Sequence, residues 1–354
     1  MSKFFSQKYK NLIPYTPGEQ PKDMKYIKLN TNESPFPPSP RAREYAKEAA
    51  QKLQLYPDPE CRQLTESIAE YLGVKYENVL VTNGSDEILN FAFMAFCDNE
   101  HPAIFPDITY GFYTVFAEIN NIPYTEIPLN DDFTINAEDY IGVGKNIFIA
   151  NPNAPTGIAL SRDEIEKIIA SNPDNIVVID EAYVDFGGES CVGLINKYDN
   201  LIVTQTFSKS RSMAGARLGF GVASEELIRD MNTIKYSTNP YNINRMTMAA
   251  GLGVMEDKEY TEKNCRMIME NREYTESELE KLGFTSLPSC ANFVFTKHKE
   301  VSGEEIYIKL REKGILVRHF TKEKIADYNR ITIGSKEEME ALVKAIQALL
   351  NPIL

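Results

Sequence analysis

The chain has 354 residues, with 38 Lys and Arg against 51 Asp and Glu for a formal net charge of −13, and 43% of it is hydrophobic. That length predicts two domains, and that apolar content is enough for a sizeable core, which excludes disorder. The acidic excess without a Lys/Arg stripe argues against a nucleic-acid partner. No apolar run approaches the roughly 18–20 residues of a membrane-spanning helix.

In chain order, residues 1–30 hold Pro14, Pro17, Gly18 and Pro21 and read as an extended arm. Its start, MSKFFSQKYK, lacks the apolar stretch of a secretion signal, so a cytoplasmic location is expected. LNTNESPFPPSP at 29–40 adds four prolines and predicts a rigid turn. A helical pattern runs from Arg41 to Gln54 and stops at YPDPE (56–60), and a second amphipathic helix is expected over 62–72. Apolar runs at 79–82 (VLVT), 103–105 (AIF), 146–150 (NIFIA), 176–180 (IVVID), 201–206 (LIVTQT) and 218–223 (LGFGVA) then largely alternate with helical segments. Runs buried on both faces and separated by helices predict a mostly parallel sheet in an α/β fold. Ligands of such sheets bind at the carboxyl ends of the strands.

From about 244 to 282 the pattern is one long helical stretch. It is followed by NFVFT, a helix near 303–313, ILV, RITI at 330–333 and a terminal helix from Ser335. This mixture predicts a smaller α+β domain, giving an arm over 1–30, a large domain over 31–240 and a small domain over 241–354.

The strand ends carry the chemistry. NGSDE at 83–87 joins a strand to a helix, so Gly84, Ser85 and Asp86 open a helix whose free N–H groups and dipole favour a phosphate. An ordinary helix cap is the alternative, and neither a G-x-G-x-x-G nor a Walker A lysine is present. NPNAPTG at 151–157 forms a rigid loop after NIFIA. Asp180, followed by Glu181, Ala182 and Tyr183, closes IVVID; a carboxylate at a buried strand tip requires a cation or donors, met by a ligand, a helix cap or Mg²⁺. Lys209 closes LIVTQTF beside Thr206 and Ser208, with Arg211 and Arg217 following. Such an amine is either a solvated surface charge or a nucleophile toward an aldehyde. A phosphate cradle, a carboxylate with a tyrosine, and a lysine with an arginine together match pyridoxal 5′-phosphate: its phosphate, its ring nitrogen and its aldehyde. The cysteines at 61, 97, 191, 265 and 290 and the three histidines are scattered, so neither a disulfide framework, a metal site nor a Ser-His-Asp triad is expected.

With these motifs in order, the chain resembles the class-II pyridoxal-phosphate-dependent aminotransferases of the aspartate-aminotransferase fold, and within them the branch acting on histidinol phosphate. LNTNESPFPP, YPDPE, NGSDEI, DITYGFY, NPNAPTG, VVIDEAYVDF, TFSKSRSMAGARLGFG, NPYNIN, ANFVF, GILVRHF and RITIGS carry the resemblance almost end to end. It implies fold type I, with a seven-stranded, mostly parallel sheet in the large domain. It further implies that Lys209 holds the cofactor covalently and moves protons, that Asp180 pairs with the ring nitrogen, and that Tyr183 bonds the ring hydroxyl. Gly84, the amides of Ser85 and Asp86, Thr206, Ser208 and Arg217 would hold the phosphate, and Tyr110 would stack on the ring. Tyr56 would reach the phosphate of the neighbouring subunit in a homodimer. Arg330, helped by Arg318, would receive the anionic group of either substrate, and Tyr15 on the arm would lie near the imidazole. Two positions depart from the family pattern. Ala154 replaces the usual second Asn of the loop, so that either Tyr183 carries the ring-hydroxyl contact alone or Asn153 partly compensates, and Arg211, in place of a small or apolar residue, is expected to face solvent.

The expected activity is amino transfer between L-histidinol phosphate and 2-oxoglutarate in histidine biosynthesis. Threonine-phosphate decarboxylation and aromatic-amino-acid transamination on the same scaffold are the alternatives. A non-catalytic ligand-sensing module would need a basic DNA-binding segment, and none is expected.

Overall fold

A computed structural model describes residues 2–350, so the first residue of the expected arm and the last four of the expected small domain lie outside the described residues. The arm ends in β1 (Ile27–Lys28), followed by α1 (Pro40–Ala49) and α2 (Arg62–Leu72). Ser39 starts α1: its hydroxyl accepts from the Ala42 amide, and Pro40 supplies a preset φ in the first turn. The large layer comprises β2 (Val79–Thr82), α3 (Ser85–Phe96), β3 (Ala103–Pro106), α4 (Phe112–Asn120), β4 (Tyr124–Ile127), β5 (Asn146–Ala150) and α5 (Arg162–Ser171). It continues with β6 (Val177–Asp180), β7 (Leu201–Thr206), β8 (Gly219–Ala223) and α6 (Glu225–Thr238).

The seven strands are ordered β2-β8-β7-β6-β5-β3-β4. Every neighbouring pair from β7 to β4 is parallel, and β8 runs antiparallel to both β2 and β7. Six of these strands are wholly buried, which is why their sequences are unbroken apolar runs. The seventh, β4, alternates exposed and half-buried residues at the sheet edge, so YTEI lacks such a run.

The remaining elements are α7 (Arg245–Met255), α8 (Lys258–Lys281), β9 (Phe284–Ser286), β10 (Phe293–His298), α9 (Gly303–Glu312), β11 (Ile315–Leu316), β12 (Arg318–His319), β13 (Asn329–Thr332) and α10 (Lys336–Leu350). A four-stranded antiparallel sheet, β12-β13-β10-β9, and the parallel β1–β11 pair form the second layer.

Two expectations change. The stretch 244–282 is two helices, broken at Glu256 and Asp257, because its halves serve different cores. Ala250, Val254 and Met255 on α7 join the core under the large sheet, and Gly253 lies so close to α1 that an added Cβ would stand 2.7 Å from the Ala42 backbone. Cys265, Ile268 and Leu279 on α8 join Phe293, Ile331 and Leu342 in the core of the small layer. The large layer therefore extends past 240 through α7. At the other end, Leu29 packs in the small-layer core and β1 pairs with β11, so the end of the arm is tied to the small layer.

Candidate active site

The carboxyl ends of β2, β6 and β7 open into one cavity of about 490 Å³. Its walls bring together Ser85, Asp86, Tyr110, Asp180, Tyr183, Thr206, Ser208, Lys209 and Arg217, with Thr31 and Glu33 from the segment after β1. These residues span 186 positions of the chain, and the parallel strand order places their loops side by side.

At one end, Gly84 stands as the N-cap of α3 with φ 79° and ψ 162°, a conformation that suits glycine. A Cβ there would come 2.6 Å from Arg217 Nη2, and one on Gly219 would collide with the Ser85 amide. Both glycines keep the helix terminus open. Arg217, itself at φ 55°, reaches over it: Nη2 donates to Asp86 Oδ2 at 2.8 Å and Nη1 to Ser208 Oγ at 3.4 Å. The Tyr110 hydroxyl donates to Asp86 Oδ1 at 2.6 Å, and burial with the Asp86 charge raises its pKa so that it stays a donor.

At the other end, Asp180 is 4% exposed. Among the described residues, only the Ala182 amide (3.2 Å) and the Tyr113 hydroxyl (3.4 Å) donate to it. Burial, reinforced by the charge of Asp86, pushes its pKa up to about 7. Lys209 Nζ donates to the Thr31 carbonyl at 3.3 Å and stands 5.8 Å from the Tyr183 ring centre. Tyr183 OH accepts from Asn32 Nδ2 at 2.9 Å, and Asn32 in turn is held by Thr332.

Arg330 lies on β13 opposite Arg318 on β12. Facing like charges on adjacent strands repel unless an anion joins them. The Arg330 guanidinium is packed 5.4 Å from the Phe293 ring centre; Nη2 donates to the Asn30 carbonyl at 3.2 Å, and Nε is buried without a partner. Burial lowers its pKa. Arg318 Nη2 donates to the Thr16 carbonyl at 3.4 Å, and Tyr15 stacks on Phe112 with ring centres 4.3 Å apart.

Asn153 and Arg211 stand elsewhere than expected, whereas Tyr56, expected to serve a neighbouring subunit, lies outside its own cavity. Asn153 is buried but directed away from the cavity: its amide donates to the Ile108 carbonyl and to Thr156 Oγ1, and its oxygen accepts from Thr109 Oγ1. It fastens the loop from behind, while Ala154 lines the cavity. Tyr56 is 78% exposed, stacks on Tyr241 at 4.6 Å and is absent from the walls of its own cavity. Arg211 is buried rather than solvent-facing, because the carboxylate of Asp185 and the faces of Tyr71, Phe207 and Phe220 receive it.

The residues fit pyridoxal 5′-phosphate on three observations. The helix terminus is kept open by glycines and topped by Arg217; Asp180 is a buried carboxyl short of a cation; and Lys209 is the one lysine among the cavity walls. Among the described residues no cluster of His, Cys, Asp and Glu could hold a metal ion. Asn32, Thr31 and Tyr113 also shape the site. Their contacts join residues 67 to 300 positions apart, so although the threonine and asparagine fall inside LNTNESP and the tyrosine closes DITYGFY, the pairing that gives each its place is not local in sequence.

Residues 24–346 match the family described as aminotransferase class I and II. The chain is 49% identical over 353 residues to the histidinol-phosphate aminotransferase of Brachyspira hyodysenteriae, covering 99% of this chain and all of that one. The crystal structure of the histidinol-phosphate aminotransferase from Clostridium acetobutylicum superposes with a TM-score of 0.85 at 25% identity, covering 92% of this chain and 99% of that chain. A histidinol-phosphate aminotransferase from Sinorhizobium meliloti, solved in complex with pyridoxal-5′-phosphate, shares the fold with a TM-score of 0.86 at 22% identity, covering 93% and 92% of the two chains. The chain belongs to the aminotransferase class I and II family.

Proposed function

We propose that the chain is a pyridoxal-phosphate-dependent aminotransferase that moves an amino group between L-histidinol phosphate and 2-oxoglutarate, giving imidazole acetol phosphate and glutamate. The observation that carries this reading is the 49% identity, over the full length, with a protein named for that reaction. We infer a cytoplasmic location from the histidine-biosynthetic role proposed here; separately, no helix among the described residues is long and apolar enough to cross a membrane.

When bound, pyridoxal phosphate supplies an aldehyde for the amino group and a ring that withdraws electrons. The residues do the rest. The amides of Ser85 and Asp86, with Thr206, Ser208 and Arg217, would hold the phosphate. Asp180 would keep a proton on the ring nitrogen, Tyr183 would bond the ring hydroxyl, and Tyr110 would lie against the ring face. The Lys209 amine would take the proton from the substrate α-carbon and return it on the cofactor side. Arg330 has a buried Nε without a partner and sits opposite Arg318, which suits it to a carboxylate or a phosphate in turn. Tyr15 would close the substrate side from the arm. Tyr56, exposed on its own surface, would serve the phosphate of a second subunit, which makes the working unit a homodimer.

The test is to incubate the purified protein with histidinol phosphate and 2-oxoglutarate and follow glutamate, then to supply threonine phosphate and follow CO₂. Glutamate without CO₂ is expected; CO₂ release alone would replace this reading with the decarboxylase. Lys209→Ala should abolish turnover, and transamination surviving in that variant would remove the lysine from its role.

A further inference from the structure

Arg211 is a buried charge with no part in holding cofactor or substrate. It follows Lys209 by two residues, its side chain is 4% exposed, and it pairs with Asp185 at 3.0 Å. The Phe207 ring centre lies 5.2 Å from the guanidinium, with those of Tyr71 and Phe220 at 5.9 Å. Asp185 sits in the short turn Val184–Phe186, directly after Tyr183 at the end of β6. The same Asp185 Oδ2 that meets Arg211 also accepts from the Ser210 hydroxyl. Both side chains that follow the lysine are therefore fastened to the segment carrying Asp180 and Tyr183. Ser212, at φ 56°, bonds Ser34 Oγ at 2.8 Å, so the turn is held from a second side.

Stability alone is a poor account of this pair, because desolvating a guanidinium and a carboxylate costs about what their attraction returns. A rigid, directional fork supplies geometry. We propose that Asp185 is a positioning residue for Lys209: by gripping Ser210 and Arg211 it fixes the lysine-bearing turn against the strand end that carries Asp180 and Tyr183. The distance from the lysine amine to the groups that hold the ring is then set by a side chain that faces away from the cavity. The inference rests on Lys209 as the cofactor-bearing residue, and it is independent of which amino donor is used.

The test compares Asp185→Ala, Asp185→Glu and Ser210→Ala in the full chain. Asp185 and Arg211 border a separate cavity of about 220 Å³ with Tyr71 and Cys265, which leaves room for the extra methylene of glutamate. Three quantities are read: kcat and KM with glutamate as donor, the rate at which added pyridoxal phosphate becomes fixed to residue 209 by borohydride in the apo-protein, and the melting temperature.

Because a misplacement of about 1 Å can cost roughly a hundredfold, Asp185→Ala should lower kcat and the trapping rate by about ten- to a hundredfold, with KM changed by less than about twofold. Asp185→Glu should recover to within about threefold of the parent, and Ser210→Ala, losing one of the two ties, should fall between. Should Asp185→Ala fail to fold, the ordering of Ser210→Ala below Asp185→Glu in trapping rate decides the matter. A lowered melting temperature with kcat and trapping unchanged in the folded variants would overturn the proposal and leave the pair structural. Failure of the Lys209 assignment would look different: the parent protein would show no trapping at residue 209.

Discussion

Replacing Asp180 with Asn should stabilise the cofactor-free protein at alkaline pH and destroy its catalysis. In the apo-protein the carboxyl is buried with two neutral donors and no cation, and its pKa rises from the ordinary 3.8 to about 7. That rise corresponds to about 4 kcal/mol of unfavourable charge burial once the group ionises. Between about pH 4 and pH 7 the folded chain holds a proton that the unfolded chain has released, so this position loses stability as the pH rises through that window. Asn carries no charge, but burying its amide with incomplete partners costs about 1–3 kcal/mol. The net gain for Asp180→Asn is therefore about 1–3 kcal/mol at pH 8, or about 1–4 °C in melting temperature for a chain of this length. At pH 4 the gain should vanish, because the carboxyl is neutral in the fold and half-neutral outside it. Melting curves of the apo forms at pH 4, 6 and 8 measure the difference directly, and Glu181 cancels because both forms keep it. With pyridoxal phosphate bound the sign reverses, since the protonated ring nitrogen prefers the carboxylate, and kcat should collapse. A variant that is less stable than the parent at pH 8, or equally stabilised at pH 4 and pH 8, would refute the account of Asp180 as a carboxyl awaiting a cation.

Two further substitutions probe the ends of the cavity. Gly84→Ala would place a methyl 2.6 Å from Arg217 Nη2 at a φ of 79°. Displacing the guanidinium should weaken cofactor binding by about tenfold, the loss of roughly one charge-assisted bond, and fluorescence titration giving an unchanged Kd would contradict the cradle. Arg330→Gln removes the guanidinium that faces Arg318 across β12 and β13. KM should rise by about tenfold or more for glutamate and for histidinol phosphate alike, as expected for a lost ion pair in a buried site; an effect on only one of them would show that the two anions use different groups.

Much of this arrangement is legible in the sequence where chain neighbours act together. The buried strands read as apolar runs, and the terminus of α3 reads from Asn83, Gly84 and Ser85, because secondary structure and capping are local. What escapes is decided by the third dimension. The break at Glu256 and Asp257 interrupts a helical pattern that is continuous in sequence, and it exists because the two halves face different cores. Strand β4 is invisible because an edge strand requires no unbroken apolar run. Asn153 and Ala154 sit in one loop, yet the backbone turns the asparagine outward and the alanine inward, and residue type alone carries no such direction. Arg211 reads as a surface charge until Asp185 and three aromatic rings close around it.

Asp180 and Glu181 show why a motif identifies a site without dividing its labour. They are adjacent carboxyls at the same strand end, both nearly fully buried and both pushed up to about 7 by desolvation. The pleat sends them to opposite faces. Glu181 meets the Cys191 amide at 2.5 Å, the Ser190 hydroxyl at 2.7 Å and the Gln205 amide at 2.9 Å, so its oxygens are taken up in holding the 190–191 loop to β7. Asp180 has two longer contacts and one open face toward the cavity. A carboxylate with three close donors has little to gain from a ligand, whereas one with two weak donors gains most from an incoming cation. The difference between a structural acid and a functional one at this strand end is thus the number of donors left over by the fold, and by that count only Asp180 is prepared for a charged ring.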